Sequence, residues 1–540
     1  MKPFFSFLCL FCAVVGSASA QLSTPVPSAV PGPDPIPATP DAPEKPDKPT
    51  GVIAPAIDPE AKPVPREAVL RNDSLVKVNA TYQGYAPHIP WQRESPANRR
   101  GLGVMISGNR VLVTAQIVAD ATYIELELAE SGQKLPAKVT GVDYEANLAV
   151  LTTATNSERS KAFFAGLKPM DIETKAHAGD NLNIWQLGRV GDLIVTQLKL
   201  SKVLTAQYVV EGSRFLAYEG QGIVRSEGNS FTVPLVKGGR LAGLLLQYDS
   251  KNQVTTVLPG AIIEHFLRDL EDGKIEGFPS LGIEFQSTLD DQFREYLGLK
   301  SEQGGMFVSA VSKGGTADAV GLKKGDIVLA MNGFPIDSRG DYEDPDFGRL
   351  SMSHIVRGRS YVGDEMTIKV LRDGKEVVLK GKLTHKSPDE FLVRPYLFDQ
   401  GPNYLVAGGL VFQELTRPYL SAFGDRGGAA LARLQWVVNH PEEYEEAGRR
   451  RLVFLSGALP TRSTQGYDRV SWQIVVKVNG KAINDLNDLA AAMKEPKNGI
   501  HTVELEDSPK LLFLDAIQME RDNLALLGGA YRIGELKHIQ

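Results

Sequence analysis

The stretch that decides the fold is Gly101-Leu102-Gly103-Val104-Met105-Ile106-Ser107-Gly108-Asn109-Arg110-Val111-Leu112-Val113-Thr114-Ala115-Gln116-Ile117-Val118-Ala119-Asp120-Ala121. It predicts a glycine-rich strand that continues through a loop into a helix, with the polar Gln116 at the junction. Some 30 residues further on, the chain reads Asn147-Leu148-Ala149-Val150-Leu151. A third segment reads Gly228-Asn229-Ser230-Phe231-Thr232-Val233-Pro234-Leu235. Together these segments indicate the class of the first folded region.

The three segments resemble the HtrA/Deg family of trypsin-like serine proteases. That family has Leu-Thr-x-Ala-His-Val-Val in the first segment, Asp-Leu-Ala-Val-Leu in the second and Gly-Asn-Ser-Gly-Gly-Pro-Leu in the third. Here Gln116 stands at the position of the general-base histidine, and Asn147 stands at that of the triad aspartate. Ser230 falls on the nucleophile, with Gly228 and Asn229 in the oxyanion region. The resemblance implies a double β-barrel with altered catalytic positions.

These substitutions decide the chemistry that we expect. A serine hydroxyl attacks a peptide carbonyl when a neighbouring base takes its proton, and imidazole is suited to this because its pKa lies near neutral pH. The Gln116 amide has no comparable basicity. Asn147 carries no charge that could stabilise an imidazolium ion. We therefore expect at most a slight residual hydrolysis.

The nucleophile segment has two alignments. Counting from Gly228 places Ser230 at the nucleophile, whereas counting back from Pro234 places Phe231 there. In either alignment the family's glycines, which allow close approach of the backbone to a substrate, are replaced by larger residues. Both alignments lack the base.

The N-terminal residues predict export. Met1 to Ala20 has one lysine, an apolar run and a small-residue cleavage signal, which is typical of a secretory signal peptide. Both cysteines of the chain, Cys9 and Cys12, lie inside it; lipid attachment there is the weaker alternative because no small-residue box precedes either one. The mature chain is then expected to contain no disulfide and no cysteine metal site. We also expect no cofactor and no metal.

Composition limits the classes of structure and of partner that we expect for the rest of the chain. Residues 21–66 hold 14 of the chain's 33 prolines and predict a disordered tether. The apolar content of 42% suits soluble globular domains. A net charge of -6 without a basic cluster argues against nucleic acid as a partner, and no later run is long enough to span a membrane.

The first predicted domain, residues 67–277, is mainly β. Short alternating strands separated by Gly, Asn and Asp turns predict a sandwich or barrel, and the family resemblance selects the double barrel. Helical apolar spacing at Ala261 to Leu270 predicts a closing helix. His88, His177 and His265 lack the flanking residues of the triad position, so we predict surface or capping roles for them.

The next predicted domain, residues 278–386, resembles a PDZ domain (α+β) through Gly321-Leu322-Lys323-Lys324-Gly325-Asp326 and the residues that follow. In that resemblance Leu297, Gly298 and Leu299 form the carboxylate-binding loop. A strand at Gly305 to Val308 would then accept a peptide by β-augmentation.

A second PDZ-like unit is predicted over residues 387–540, with an insertion between Tyr419 and Arg451. Its Gly409, Leu410 and Val411 resemble another peptide-binding loop that runs into its strand. Val478-Asn479-Gly480 repeats Met331-Asn332-Gly333 of the first unit, which indicates an internal repeat. This domain order is similar to that of plant and bacterial Deg proteases with two PDZ domains.

The family resemblance implies the partners. We expect polypeptide substrates or protein C-termini, an active Deg-type protease as one partner, and a homo-oligomer based on trimers. Our leading interpretation is an exported Deg-like pseudoprotease that binds polypeptides in envelope protein quality control or regulates an active protease. Two alternatives stay open: an active serine endopeptidase that uses Ser230 with a non-standard base, and a PDZ scaffold for envelope proteins.

Overall fold

The computed structural model describes residues 73–188, 191–225, 231–271, 273–300, 302–424, 428 and 431–540. The predicted signal peptide (residues 1–20) and proline-rich tether (residues 21–66) lie outside these residues, as do Gly228, Asn229 and Ser230. The described residues all belong to the compact unit Glu67–Gln540.

The first six strands close into a barrel in the order β1-β2-β3-β6-β5-β4. They are β1 (Leu75–Tyr82), β2 (Ala97–Ile106), β3 (Arg110–Val113), β4 (Ala121–Leu128), β5 (Lys134–Asp143) and β6 (Leu148–Thr153). A one-turn helix, α1 (Ala115–Val118), follows β3, and α2 (Glu158–Ala165) follows β6. Side chains of β1 alternate between buried and partly exposed, so one face of the strand fills the barrel.

The next six strands close into a second barrel in the order β10-β11-β12-β9-β8-β7. They are β7 (Asn181–Leu187), β8 (Leu193–Gln207), β9 (Arg214–Gly222), β10 (Pro234–Lys237), β11 (Arg240–Asp249) and β12 (Val254–Pro259). The amphipathic helix α3 (Gly260–Asp269) follows them and buries Ile262, Ile263 and Phe266. The trypsin-like double barrel expected from the sequence is therefore confirmed.

The two barrels meet where the start of the segment leading into β10 lies beside β2. Gly101 and Phe231 form a parallel bridge, and the Leu102 N–H donates to the Phe231 carbonyl at 3.1 Å. A Cβ on Gly101 would lie 2.5 Å from the Phe231 carbonyl oxygen and 2.8 Å from the Ile117 Cδ1. Only glycine allows this approach.

The chain continues into a sheet with the order β13-β14-β15-β19-β20, while β16 pairs only with β15. Its strands and the neighbouring two-stranded sheet β17-β18 are β13 (Ile283–Gln286), β14 (Met306–Val311), β15 (Ile327–Met331), β16 (Phe334–Pro335), β17 (Asp341–Asp344), β18 (Gly348–Ser351), β19 (Glu365–Arg372) and β20 (Lys375–Lys382). The helices are α4 (Asp291–Tyr296), α5 (Thr316–Ala319) and α6 (Ser353–Arg357). Asp373 and Gly374 both have positive φ, as a two-residue hairpin turn between β19 and β20 requires.

The last sheet has the order β27-β26-β24-β23-β22-β21-β28, with β25 paired to β24. Its strands are β21 (Tyr404–Ala407), β22 (Leu410–Glu414), β23 (Val453–Ala458), β24 (Gln473–Val478), β25 (Lys481–Ala482), β26 (Ile500–Leu505), β27 (Leu511–Asp515) and β28 (Lys537–His538). The helices are α7 (Arg417–Ser421), α8 (Ala432–Asn439), α9 (Pro441–Glu446), α10 (Leu486–Ala492) and α11 (Ala516–Leu526). A 3₁₀ turn at Pro388–Glu390 precedes β21.

The contact between the barrels gives a prediction for Gly101→Ala. The added methyl group would collide with the Phe231 backbone, which cannot move independently of the second barrel, so we expect a loss of about 1 to 3 kcal/mol of unfolding free energy. The matched control is Gly166→Ala, because Gly166 has φ -87° and no heavy atom within 4 Å of an added Cβ. Thermal unfolding followed by circular dichroism checks both variants. Equal melting curves for the two would contradict the close approach.

Candidate functional site

The structure brings the predicted site residues Gln116 and Asn147 into contact. The Gln116 backbone N–H donates to the Asn147 Oδ1 at 3.1 Å. The Asn147 Nδ2 lies 3.5 Å from the Gln116 Oε1, at the limit of a hydrogen bond. The Ala115 N–H donates to the Asn147 carbonyl at 3.1 Å, and Asn147 is only 1% exposed. The two amide residues therefore form one partly buried polar pair.

Local backbone geometry explains why asparagine stands at position 147. Asn147 lies in the turn between β5 and β6 with φ +57°, a left-handed conformation that asparagine tolerates better than most residues. The same turn is fixed by the Asp143 Oδ1, which accepts from the Ala146 N–H at 2.8 Å. The turn thus presents Asn147 to α1 in a single orientation.

Arg99 also contacts Gln116. It was not among the residues that the sequence singled out. Its Nη1 donates to the carbonyls of Gln116 and Ala119 at 2.7 and 2.8 Å. Its guanidinium carbon lies 3.7 Å from the centre of the Tyr82 ring. These bonds satisfy carbonyls at the end of α1, where a helix leaves acceptors unpaired.

The third predicted position, Ser230, lies outside the described residues together with Gly228 and Asn229. The next two residues are described. The Phe231 ring packs partly buried against the core of the first barrel. Thr232 is 2% exposed, and its Oγ1 accepts from the Thr114 N–H at 2.8 Å and lies 2.8 Å from the Thr114 Oγ1. The Thr232 hydroxyl is thus enclosed and hydrogen-bonded to Thr114.

The histidines lie elsewhere. In the part of the chain that the structure describes, none of the eight is recorded in contact with Gln116 or Asn147. The prediction of a surface or capping role is wrong for His265, which is 3% exposed and stacks between the rings of Phe278 and Tyr361 at 4.2 and 3.9 Å. Burial lowers the pKa of His265 to about 4, so its ring is neutral at pH 7.

The side chains of Gln116 and Asn147 can form hydrogen bonds but are not bases. Amide side chains donate and accept hydrogen bonds, yet they do not take up a proton near neutral pH. Among the described residues, no group of three or more His, Cys, Asp or Glu side chains is arranged to hold a metal ion.

The loop that carries Asn147 also contains two carboxylates close to each other. Asp143 is nearly buried, and burial together with the neighbouring Glu145 raises the pKa of its carboxyl to about 6. Glu145 forms an ion pair with Arg357 of α6, with the Glu145 Oε2 at 2.8 Å from the Arg357 Nη2. The turn is therefore linked electrostatically to the sheet that begins with β13.

A segment that precedes β21 lies against both site loops. The Asp120 N–H donates to the Asp399 Oδ1 at 2.8 Å, and the Asp399 N–H donates to the Asp120 Oδ1 at 2.9 Å. The Tyr144 hydroxyl donates to the Asp399 Oδ2, and its ring lies 4.5 Å from that of Phe398. Burial raises the pKa of the Tyr144 hydroxyl, which stays protonated. The segment thus joins the loops that hold Gln116 and Asn147.

The structure contradicts the prediction that Leu297, Gly298 and Leu299 form a carboxylate-binding loop. All three N–H groups donate to carbonyls of α4, at Phe293, Glu295 and Arg294 respectively. Gly298 has φ +69°, so these residues form the left-handed end of a helix. Their N–H groups are used within the chain and are not free to hold a carboxylate.

The prediction that the strand at Gly305 to Val308 accepts a peptide is also wrong. β14, which includes Met306 to Val308, is paired with β13 on one side and with β15 on the other, so it has no free edge. The edge strands of this sheet are β20 and β13, and β13 pairs only with β14 among the described residues. β13 follows Leu281 and Gly282, whose N–H groups have no recorded hydrogen-bond acceptor within the described ranges.

The peptide-binding loop predicted at Gly409, Leu410 and Val411 is buried within its sheet. Gly408 and Gly409 form the tight turn between β21 and β22, and Leu410 and Val411 are 0% and 4% exposed. β22 is paired with β21 and β23, so neither of its edges is open. The Gly408 N–H donates to the Asn523 Oδ1 of α11 at 2.7 Å. In this sheet, β21 occupies the place where a peptide strand would add to β22.

Comparisons with known proteins agree with this architecture. Two PDZ domain models match residues 279–383 and 393–535. The chain is 27% identical over 446 residues to "Putative protease Do-like 3, mitochondrial" of Arabidopsis thaliana, covering 82% of this chain and 76% of that protein. It is 26% identical over 467 residues to "Protease Do-like 2, chloroplastic" of the same plant (84% and 72%). It is 25% identical over 312 residues to "Serine protease Do-like HtrA" of Bacillus subtilis (54% and 65%).

Among solved structures, "HtrA-type protease AlgW with decapeptide" matches at 20% identity with a TM-score of 0.43, covering 58% of this chain and 96% of that one. The PDZ matches confirm the α+β part of the predicted fold class. Within the described residues, helices long and apolar enough to cross a membrane are absent.

The Asp143 carboxyl gives a prediction about pH. Its folded pKa of about 6 lies above the ordinary value of 3.8, so the folded protein binds this proton more tightly than the unfolded chain does. The resulting stability is present below about pH 4 and is lost as the pH rises through about 6. Asp143→Asn keeps an Oδ1 acceptor for Ala146. It should raise the unfolding free energy at about pH 7.5 by about 1 to 3 kcal/mol, with little change at about pH 4.

Urea unfolding of wild type and Asp143→Asn at the two pH values measures this effect. The exposed Asp468→Asn is the control and should follow wild type at both. A loss of stability in Asp143→Asn at the higher pH would show that the charged carboxylate stabilises the turn, contrary to our account.

Proposed function

We propose that this chain, a homologue of the HtrA/Deg-type serine proteases with two PDZ domains, binds polypeptides without cleaving them. The observation that carries the proposal is the contact between Gln116 and Asn147, two amides at the positions where the family pattern has a histidine and an aspartate. A degenerate triad of Gln116, Asn147 and Ser230 would leave a protease cleft that accommodates a chain but cannot activate a nucleophile.

The open edge of β13 supports the binding half of the proposal. Peptides add to exposed sheet edges through main-chain hydrogen bonds, and neighbouring side chains set the specificity. Phe285 on β13 is 44% exposed, and the nearby Leu289 and Tyr296 are 54% and 85% exposed. Exposed apolar residues of this size beside a free edge suit an unfolded chain or a C-terminal peptide. The Gly409–Val411 turn, by contrast, is already covered.

The wider role extends the same proposal. The chain would act in protein quality control, holding unfolded polypeptides or regulating an active Deg-type protease that supplies the triad. Assembly in trimers follows from the family. We keep the predicted domain boundaries at residues 67–277, 278–386 and 387–540, and we keep export to the envelope on the basis of residues 1–20.

Fluorescein-labelled β-casein, an unfolded polypeptide, tests the binding directly. We expect saturable binding to the wild-type chain by fluorescence anisotropy. Phe285→Ser should weaken it about tenfold or more, because burying such a side chain contributes about 1.5 to 3 kcal/mol. The control is Tyr123→Ser on β4, whose side chain is 48% exposed on the first barrel and which should bind like wild type.

A competition arm separates the kinds of ligand. A ten-residue peptide with a free C-terminus should displace casein better than its amidated form if the β13 site recognises C-termini. Equal displacement by both would indicate recognition of internal segments. Absence of casein binding to wild type, or binding unchanged in Phe285→Ser, would contradict the proposal for this edge.

A further inference from the structure

A groove of about 560 Å³ lies between the loop that precedes β2 and the last sheet. One side carries Ile89 and Trp91, and the other carries Tyr531 and the end of β23. Ile89 and Tyr531 are 41% and 37% exposed, so both present apolar surface to solvent. The Trp91 indole N–H donates to the Tyr531 carbonyl at 3.0 Å, which joins the two sides. The walls of this groove are therefore largely apolar and aromatic.

The charge in the groove favours an anionic ligand. Arg532 lines it, and within the described residues the lining contains no Asp or Glu. Burial lowers the pKa of His88, which also lines the groove, so its ring is mainly neutral at pH 7. The Arg532 guanidinium has no hydrogen-bond or ion-pair partner in the part of the chain that the structure describes. A carboxylate is the group that a guanidinium binds most specifically, through paired N–H donors.

The end of β23 adds unpaired main-chain groups to the same groove. β24 pairs with β23 no further than Leu455, so residues 456–458 have no strand beside them on that side. The Leu459 N–H donates to the Gly409 carbonyl on the β22 side at 2.7 Å. Because successive residues of a paired strand direct their N–H and C=O groups to opposite sides, those of Ala458 point away from β22. They have no recorded partner among the described residues, and residues 456–458 all line the groove.

We propose that this groove is a second peptide-binding site, separate from β13, whose ligand is the C-terminus of a polypeptide with an apolar last residue. The last side chain packs against Trp91 and Tyr531. The terminal carboxylate pairs with the Arg532 guanidinium, and the main chain of the ligand bonds to Ala458. A fatty acid would supply the carboxylate and the apolar surface but no amide groups. An internal peptide segment would supply the amides but no main-chain carboxylate.

The pentapeptide Gly-Ser-Gly-Ala-Phe with an acetylated N-terminus is the probe, and saturation-transfer NMR on the full chain is the measurement. We expect saturable binding with a dissociation constant of about 1 mM or tighter. Amidation of the peptide C-terminus should weaken binding about tenfold, the effect of losing one hydrogen bond between charged groups. Hexanoate, which has a carboxylate and an alkyl chain but no amide, should bind more weakly than the peptide. Equal affinity of the free-acid and amidated peptides would overturn the assignment of a carboxylate.

Two variants localise the binding. Arg532→Gln should weaken the free-acid peptide about tenfold and leave the amidated peptide unchanged. Its control is Arg521→Gln, at an exposed position of α11 outside the groove. Gly457→Leu should abolish binding: Gly457 lines the groove, its φ lies outside the left-handed region, and an added Cβ would meet no heavy atom within 4 Å. Gly166→Leu, where an added Cβ also meets no heavy atom within 4 Å, is the control for that change.

The Phe285→Ser chain separates this groove from the β13 edge. Pentapeptide binding that persists in Phe285→Ser and is lost in Gly457→Leu would support the second site, whatever the result with casein. Loss of binding in Phe285→Ser with unchanged affinity in Arg532→Gln would place the peptide on β13 and overturn the second site, while the proposed function would stand. No saturable binding to wild type up to the solubility limit of the peptide would also overturn it. Thermal unfolding by circular dichroism confirms that each variant is folded.

Discussion

The close contact between Gly101 and the Phe231–Thr232 backbone is the constraint on which the rest of the structure depends. Two closed barrels have no free edges for strand pairing, and here a glycine lets a segment of the second barrel approach a strand of the first. Here the missing side chain of Gly101 admits the Phe231 carbonyl, and the Thr114 N–H is satisfied by the Thr232 hydroxyl. This contact places Phe231 and Thr232 beside the loops of the first barrel.

Thr232 has a strained backbone at this junction, which costs some free energy of folding. It has φ +54°, a conformation that is unusual for a β-branched residue. Its hydroxyl is nevertheless bonded to Thr114, so the strained backbone is held by a buried polar contact. In the family pattern glycines stand here. We infer that this chain keeps the contact between the two barrels but lacks the open, glycine-lined backbone that a nucleophilic serine would need.

The domains beyond the barrels are fixed to them by several separate contacts. Phe215 of β9 and Ile355 of α6 belong to the same apolar core, so the first PDZ region shares its interior with the second barrel. Trp91 of the first barrel donates to the Tyr531 carbonyl at 3.0 Å, and so ties the last sheet to the barrel as well. The β13 edge is thereby held in a fixed place relative to the candidate cleft, which suits a protein that holds a chain.

The sequence was informative where neighbouring residues decide the structure. The helix Gly260–Asp269 lies within a residue of the span expected from its apolar spacing. Leu297-Gly298-Leu299 and Leu281-Gly282-Ile283 look alike, so the short motif does not distinguish the end of α4 from the residues that lead into β13. The Asp290 side chain caps the start of α4 by accepting from the Phe293 N–H. It was the available signal that a helix precedes Gly298.

Contacts between distant residues were not predictable in this way. Asp120 and Asp399 are 279 residues apart, and Trp91 and Tyr531 are 440 residues apart. Local periodicity and turn residues carry no information about such pairs. The same holds for Arg99, whose role depends on where the Gln116 carbonyl lies in space.

The central claim is that the chain binds polypeptides but does not hydrolyse them, and casein hydrolysis tests it most directly. The purified chain, Ser230→Ala and the double variant Gln116→His/Asn147→Asp are incubated with unfolded casein, and the products are followed by mass spectrometry. We predict intact casein with wild type and no change with Ser230→Ala; any cleavage should require at least the restored base. Casein cleavage by wild type that is lost in Ser230→Ala would contradict the account, because it would mean that another group activates Ser230.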